Sequence, residues 1–315
     1  MSFVGRAPGY PDYSSAGQGK YTPQIYSQKT LIKFYLTTVF GEIANTDYEG
    51  EISKRGDKVI IRTVPDVTIR DYVKGQDLVY ETPDGADVEL DINKAKYFAL
   101  KIDSIDRLQN DINMMDKWSD DGGKQMAIAV DRDILSNIVL DAHASNQGAT
   151  AGAVSAGYNL GTAGSPLTVS KDGASSTTPI LDLIMDAEAV LSEQNVPEDD
   201  ERWIILPTWA CNLLQKSELR RADSMGSPAN QDVLRNGKLG KLGQFTIFRS
   251  NNLYVSGSNT YIPFGHKSAV TFASQIVEQE LLPHPTAFGQ ILRALKVYGY
   301  KTVKSQSLGL IVAHK

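Results

Sequence analysis

Among 315 residues the chain has one cysteine, Cys211, so no disulfide can close within it and no multi-cysteine metal site can be built. Stability must come from packing and from partners. An excess of positive charge is also missing. The 32 Lys and Arg against 37 Asp and Glu leave a formal charge of -5, the wrong balance for a protein whose main task is gripping phosphate backbones. No uninterrupted apolar run approaches the ~20 residues of a membrane span. The opening MSFVGRAPGYPDYSSAGQGK lacks the apolar stretch of a secretory signal. A chain made in the cytoplasm, without membrane contact, is expected.

The usual chemical signatures are absent as well. There is no P-loop, no GxGxxG, no HExxH and no GxSxG, which removes the common phosphate, dinucleotide, zinc-protease and hydrolase patterns. His143, His266, His284 and His314 are scattered, with no acidic or histidine neighbour at a ligand-gathering spacing. Asp131 and Asp133 lie two apart, on different faces of a helix, so they suit surface or capping charges better than a paired acid and base. Cys211 has no histidine nearby in sequence and reads as buried and inert. The glycines of NGKLGKLGQF (Gly237, Gly240, Gly243) could hug an anion, but a turn before a strand explains them equally simply, and the turn is preferred. Neither cofactor nor metal is expected, and a catalytic role is not.

What is present is a mixed pattern of helices and strands. Residues 1–23 mix Gly, Pro, Ser and Tyr without periodicity and read as an extended arm that orders only against something else. From Pro23 to about Gly41 the apolar steps predict an amphipathic helix. Period-two alternation then marks strands at Val59–Thr63 and Val67–Ile69. It marks them again at Val88–Ile92 after the turn signal Pro83-Asp84-Gly85, and at Phe98–Ile102. Residues 57–102 thus predict a long antiparallel β excursion. Between Tyr48 and Lys101, 20 of 54 residues are charged, too many for a wide core of its own. The excursion is either a solvated hairpin or an arm lying on neighbouring subunits. In the second reading Arg55, Arg62, Arg70, Lys74, Asp77 and Glu81 pair charges across the contact, and reversing Arg70 or Lys74 impairs assembly more than folding.

Ser119 with Asp120 and Asp121 predicts a helix start, and the helix should run to about Ala144. Its two apolar stripes are Met126, Val130, Ile134, Ile138 and Ile128, Leu135, Val139, Ala142, which places it between two layers. Residues 148–178 are small and aperiodic and predict a loop or linker. Thr178-Pro179 opens a helix with Ile180, Leu183, Ile184, Ala187, Val190 and Leu191 on one face. A buried strand at Trp203–Leu206, a helix from Thr208, a short helix after Pro228, and strands at Phe245–Arg249 and Tyr261–Phe264 complete an α+β pattern.

Four stretches, in this order and spacing, carry a likeness: YFALKIDSIDRLQN, WIILPTWACNLL, VLRNGKLGKLGQFTIFRSNNL and FGQILRALKVYGYKTVKSQSLGLIVA. Together with the arm, charged excursion and long helix, they resemble the major capsid protein of tailed bacteriophages, the Hong-Kong-ninety-seven-type coat fold, over nearly the whole chain. The resemblance implies an N-terminal arm and helix at 1–47, an extended β loop at 48–101 overlapping an adjacent subunit, and a peripheral domain with a spine helix at 102–177. It further implies an axial domain at 178–300 and a strand at 301–315 returning to the peripheral domain. It also implies self-assembly into pentamers and hexamers of an icosahedral virion shell, put together in the host cytoplasm. Scaffolding, portal and decoration proteins would be partners, and double-stranded DNA would be enclosed as cargo, not specifically bound. Three other readings stay open from sequence: a cellular nanocompartment shell, a phage tail or connector protein, and an α+β ligand-binding protein or enzyme whose site no linear motif reveals.

Overall fold

The computed structural model describes residues 38–46, 58–62, 67–82, 85, 87–103, 114–171, 176–217 and 240–315. The arm at 1–23, most of the helix expected from Pro23, Arg55, Pro83-Asp84 and the short helix expected after Pro228 lie outside the described residues. Of the expected helix, Thr38 and Val39 are described and are not helical; a single turn, α1, follows at Phe40–Ile43.

Two features organise the remainder, a long helix and a large mixed sheet. The helix α2 spans Met114–Ile138, about 37 Å at the usual rise. It begins before Ser119-Asp120-Asp121, so that triplet sits inside the helix and is not its start. Both expected stripes turn inward: Ile128, Val130, Ile134, Leu135, Ile138 and Val139 are buried, because α2 has a layer on either side. The helix also stops earlier than expected, giving way to single 3-10 turns at Val139–Asp141 and Ala144–Asn146. Beyond the stop the chain is anchored by buried Asn146, whose amide donates to the carbonyls of Gln306 (2.7 Å) and Leu308 (3.0 Å).

Before α2 lie three strands, β1 (Lys58–Arg62), β2 (Asp87–Asp91) and β3 (Lys94–Asp103). After it come β4 (Leu167–Ser170), β5 (Thr178–Pro179), α3 (Ile180–Glu193), β6 (Arg202–Leu206) and α4 (Thr208–Lys216). Then follow β7 (Lys241–Leu242), β8 (Phe245–Arg249), β9 (Val255–Ser256) and β10 (Asn259–His266). The long strands β11 (Val270–Pro283) and β12 (Gly289–Thr302) precede β13 (Leu308–His314). The large sheet runs β5-β4-β13-β10-β6-β8-β7, with β9 on β10. A second sheet runs β11-β12-β3, and β1 pairs with β2 alone.

All six apolar residues expected on the inner face of α3 are buried, and β6 is buried throughout, as a central strand covered on both faces must be. Arg202 is admitted to that core because its guanidinium donates to the carbonyls of Pro197 (2.9 Å) and Val196 (2.6 Å) and to Ser192 Oγ (3.0 Å). It thereby fixes the α3–β6 connection.

Several sequence expectations need correction. The stretch 57–102 is not one excursion: β1 pairs with β2, whereas β3 leaves the hairpin and pairs with β12 from Lys94↔Tyr298 to Asp103↔Gly289. Period two shows that a segment is a strand but not which partner it takes. Val67 and Ile69 belong to no strand and are exposed. The small-residue stretch after Gly148 is mostly loop, as one of its two expectations had it, but it is no linker. Ala151 and Leu160 are fully buried, Val312 N donates to Leu160 O (2.9 Å), and β4 adds to the large sheet beside β13. Small side chains let this segment lie flat on the core. As for the units drawn from the resemblance, β11 and β12 keep company with β3, and β13 lies between β4 and β10.

Candidate assembly surface

The hairpin base is set by alternation. Val59, Ile61, Val88, Leu90 and Ile92 share one face and pack on Ala273, Val297 and Val303, so the base is fastened to β11 and β12. The fit there is tight: a Cβ on Gly299 would stand 2.2 Å from the Asp91 carbonyl oxygen and 2.9 Å from Ile92 Cα. Only glycine permits this approach. On the other face Lys58 Nζ reaches Glu89 (2.7 Å) and Asp91 (3.5 Å) across the pair. Its ammonium is held above its ordinary pKa, first by the hydrogen bond to Glu89 and then by the charge of Asp91.

Beyond the base, residues 67–82 run out and back without ladder pairing. At the tip Gln76 N donates to Val73 O (3.0 Å), and Gly75 at the third position has φ +89°. That is a type II turn, which demands glycine there and places Lys74 at the second position. Glu81 ties the two limbs, accepting from Thr68 N at 2.7 Å and lying 3.6 Å from Arg70.

Of the residues expected to pair charges across a contact, Arg70 and Glu81 therefore meet each other. Arg62 ends β1, Lys74 caps the tip and Asp77 lies on the return limb, all exposed. Sequence reasoning missed the apolar side chains between them: Ile69 is 90% and Tyr80 88% exposed, with Tyr72, Val73, Leu78 and Val79 also bare. The signal was present, since the run Asp77-Leu78-Val79-Tyr80 has no amphipathic alternation to direct it to a core.

Where β3, β12 and α2 meet, a polar knot ties the three together. Asp133 Oδ2 accepts from Lys94 Nζ (2.9 Å) and Tyr298 OH (2.9 Å), and Lys94 also donates to Tyr300 OH (2.5 Å). Burial alone would raise the Asp133 carboxyl, but the hydrogen bonds from Lys94 and Tyr298 outweigh it and hold the group below the usual carboxylate range. Burial pushes the Tyr298 phenol up. Asp131 is fully buried rather than a surface charge. Its Oδ1 accepts from Val39 N and Phe40 N (both 2.9 Å), capping α1, and its Oδ2 accepts from Asn252 (2.6 Å). The capping expectation holds for a helix other than its own.

The remaining candidates resolve into structural roles. The Cys211 thiol is pushed up to about 11 by burial, so it is inert as expected. Gly243 forms the expected turn, and Gln244 N donates to Glu188 (3.3 Å), so the anion it meets is the chain's own carboxylate. His266 gathers Asp199 (2.9 Å) and Glu201 (3.9 Å), a trio invisible in sequence because its members are 67 and 65 positions apart. His266 Nδ1 accepts from Ser268 N (3.1 Å), so the neutral ring carries its proton on Nε2 and donates to Asp199. Within the trio Asp199 and His266 satisfy each other directly.

A family-level sequence comparison matches residues 50–281 to the phage capsid protein family. Among solved structures, one from Mycobacterium phage Che8 is similar at TM-score 0.73 and 26% identity, covering 93% of this chain and 97% of that one. The capsid structure of the cyanophage P-SCSP1u is similar at TM-score 0.65 and 17% identity, with both chains covered completely. The capsid of a native GTA particle is similar at TM-score 0.67 and 11% identity, covering 97% and 99%. The last two are likenesses of fold. No curated protein matches the sequence.

Proposed function

Because the chain belongs to the phage capsid protein family, we propose that it is the structural subunit whose copies close, as pentamers and hexamers, into the icosahedral shell of a virion. The single observation that carries this is the pairing of that family match with a fold similar over 93% of the chain to the Che8 structure. Head-to-tail contacts that close into rings, at slightly different angles, build such a shell from one sequence. In this reading α3, α4 and the large sheet form the axial part, and α2 with β11-β12-β3 forms the peripheral part. The hairpin from β1 to β2 is the loop that overlaps a neighbour, with Arg62, Lys74 and Asp77 at the charged margin of the contact.

The net charge of -5 suits a wall that confines DNA without binding it, since like charge avoids tight, salt-dependent phosphate contacts. Scaffolding, portal and decoration proteins are the further partners this reading calls for, with assembly in the host cytoplasm. Negative-stain electron microscopy with sedimentation of the expressed chain, alone and with its genomic neighbours, tests it. Closed particles or rings are expected. A stable monomer under all these conditions would overturn the reading.

A further inference from the structure

An open groove of about 500 Å³ lies just past the C-terminal end of α2, lined among others by Leu140, Gln147, Thr162, Tyr254, Tyr261 and Leu310, and no charged side chain takes part in its lining. Leu140 is 78% exposed. The rings of Tyr254 and Tyr261 stand 5.0 Å apart, tilted at 56°, and among the described residues neither phenol hydroxyl has a hydrogen-bond partner. An aromatic pair with free hydroxyl donors in an uncharged groove suits one kind of peptide. A polyproline II segment has no internal hydrogen bonds, so it offers proline rings to pack on the aromatics and bare carbonyls to accept from the phenols.

The chain contains a single Pro-x-x-Pro sequence, Pro8-Gly9-Tyr10-Pro11, within the uncharged run Ala7 to Pro11 that lies between Arg6 and Asp12. With three residues per turn, Pro8 and Pro11 fall on one side of a polyproline II helix. Both the groove and the run are thus neutral and apolar with unpaired polar groups of opposite kind, donors on one and acceptors on the other.

The chain that follows this run is moored close to the groove. Val39 N and Phe40 N donate to Asp131 Oδ1 (both 2.9 Å), and Asn252 donates to Oδ2 of the same carboxylate (2.6 Å). Tyr254 comes two residues after Asn252. From Asp131 to Leu140 the path along α2 and the turn after it covers about 14 Å. The stretch from Pro11 to Thr38 would reach about 40 Å even if wholly helical, so the run can reach the groove of its own subunit. Tethering also gives it an effective concentration that a segment from another molecule lacks.

We propose that Pro8–Pro11 docks in the Tyr254–Tyr261 groove of its own subunit, with the two proline rings against the tyrosines and Leu140 and the phenols donating to its carbonyls. The contact belongs to the folded subunit and does not depend on the shell reading.

Cysteine trapping in the full chain tests this, undisturbed by Cys211 because that thiol is buried. Tyr10→Cys is paired with Ala163→Cys at the groove, and, as a control, with Tyr97→Cys, which is exposed on a different sheet. Dilute protein is oxidised by air with a copper catalyst and followed by non-reducing electrophoresis and mass, each disulfide removing two hydrogens. The groove pair is expected to close at least about tenfold faster than the control pair, at monomer mobility. Adding Pro8→Ala with Pro11→Ala, or adding Leu140→Asp, should bring it down to the control rate. Thermal melts check that Leu140→Asp is folded, and if it is not, the proline changes decide. Equal rates for the two pairs, or trapping indifferent to the proline changes, would overturn the proposal. So would a disulfide joining two chains, which would assign the groove to a neighbour's segment. Failure of the chain to form particles would remove the shell reading and leave these readouts as they are.

Discussion

All five residues of β6 are buried, whereas every residue from 67 to 82 is exposed. Both segments mix Ile, Leu or Val with an aromatic and an arginine. In β6 the arginine is accepted because three protein oxygens receive its hydrogens. In the arm the arginine stays at the surface with Glu81, and among the described residues nothing covers the arm's apolar groups. The same physical chemistry operates in both segments, but on different molecules: β6 buries its apolar surface in its own chain, and in our proposal the arm buries its surface in another copy. Folding and assembly should therefore be separable by mutation.

The largest expected effect lies in the core. Trp203→Ala empties a fully enclosed site and should cost about 3–5 kcal/mol, lowering the melting temperature of the isolated subunit, with assembly lost only because folding is lost. If the melt did not move, the distinction between core and arm would collapse. Next, Asp131→Ala leaves the N–H groups of Val39 and Phe40 and the amide of Asn252 without their acceptor, at about 2–4 kcal/mol. Chemical denaturation measures this. Gly122→Val drives a side chain into Phe98 and should cost about 1–3 kcal/mol through overpacking; combining it with Phe98→Ala should recover part of the loss.

Asp133→Asn sharpens the comparison through pH. The Asp133 carboxyl sits below its ordinary value, so its contribution is complete above about 3.9 and disappears as pH falls through the lower native value. A loss of about 1–2 kcal/mol is expected at neutral pH for the lost charge-assisted bonds. Melting curves of variant and wild type should converge in acid. A difference that grew on acidification would contradict the assigned role. Smallest of all, Lys74→Glu at the turn tip should change subunit stability by less than about 0.5 kcal/mol, measured by the same melts.

The sequence showed α3 almost residue for residue, because Ile180, Leu183, Ile184, Ala187, Val190 and Leu191 repeat with the helical period and Pro179 marks the entry. β8 was equally plain at Phe245–Arg249. The inertness of Cys211 could be read from the lack of a neighbouring base. The partner of β3 could not be read, because alternation is identical whether a strand pairs with the hairpin before it or with β12 nearly 200 residues later. Nor could the path of the small-residue segment, where Ala151 and Leu160 are buried by the rest of the fold and not by any pattern of their own. Charge density drew attention to Arg70 and Glu81 but could not show that they meet each other, which they do only once the limbs fold back.

The sequence by itself determined the types of most elements, the α+β class, the inward faces of α2 and α3, and membership of a shell-forming family. These depend on local periods and on the order of elements, both of which a linear chain records. Only the tertiary structure decided that β3 leaves the hairpin, that Asp131 caps a helix 91 residues away, that Gly299 seats the hairpin base, and that the arm's apolar groups find no cover among the described residues. Each of these depends on which distant surfaces meet, and burial belongs to such a pair of surfaces rather than to either stretch of sequence.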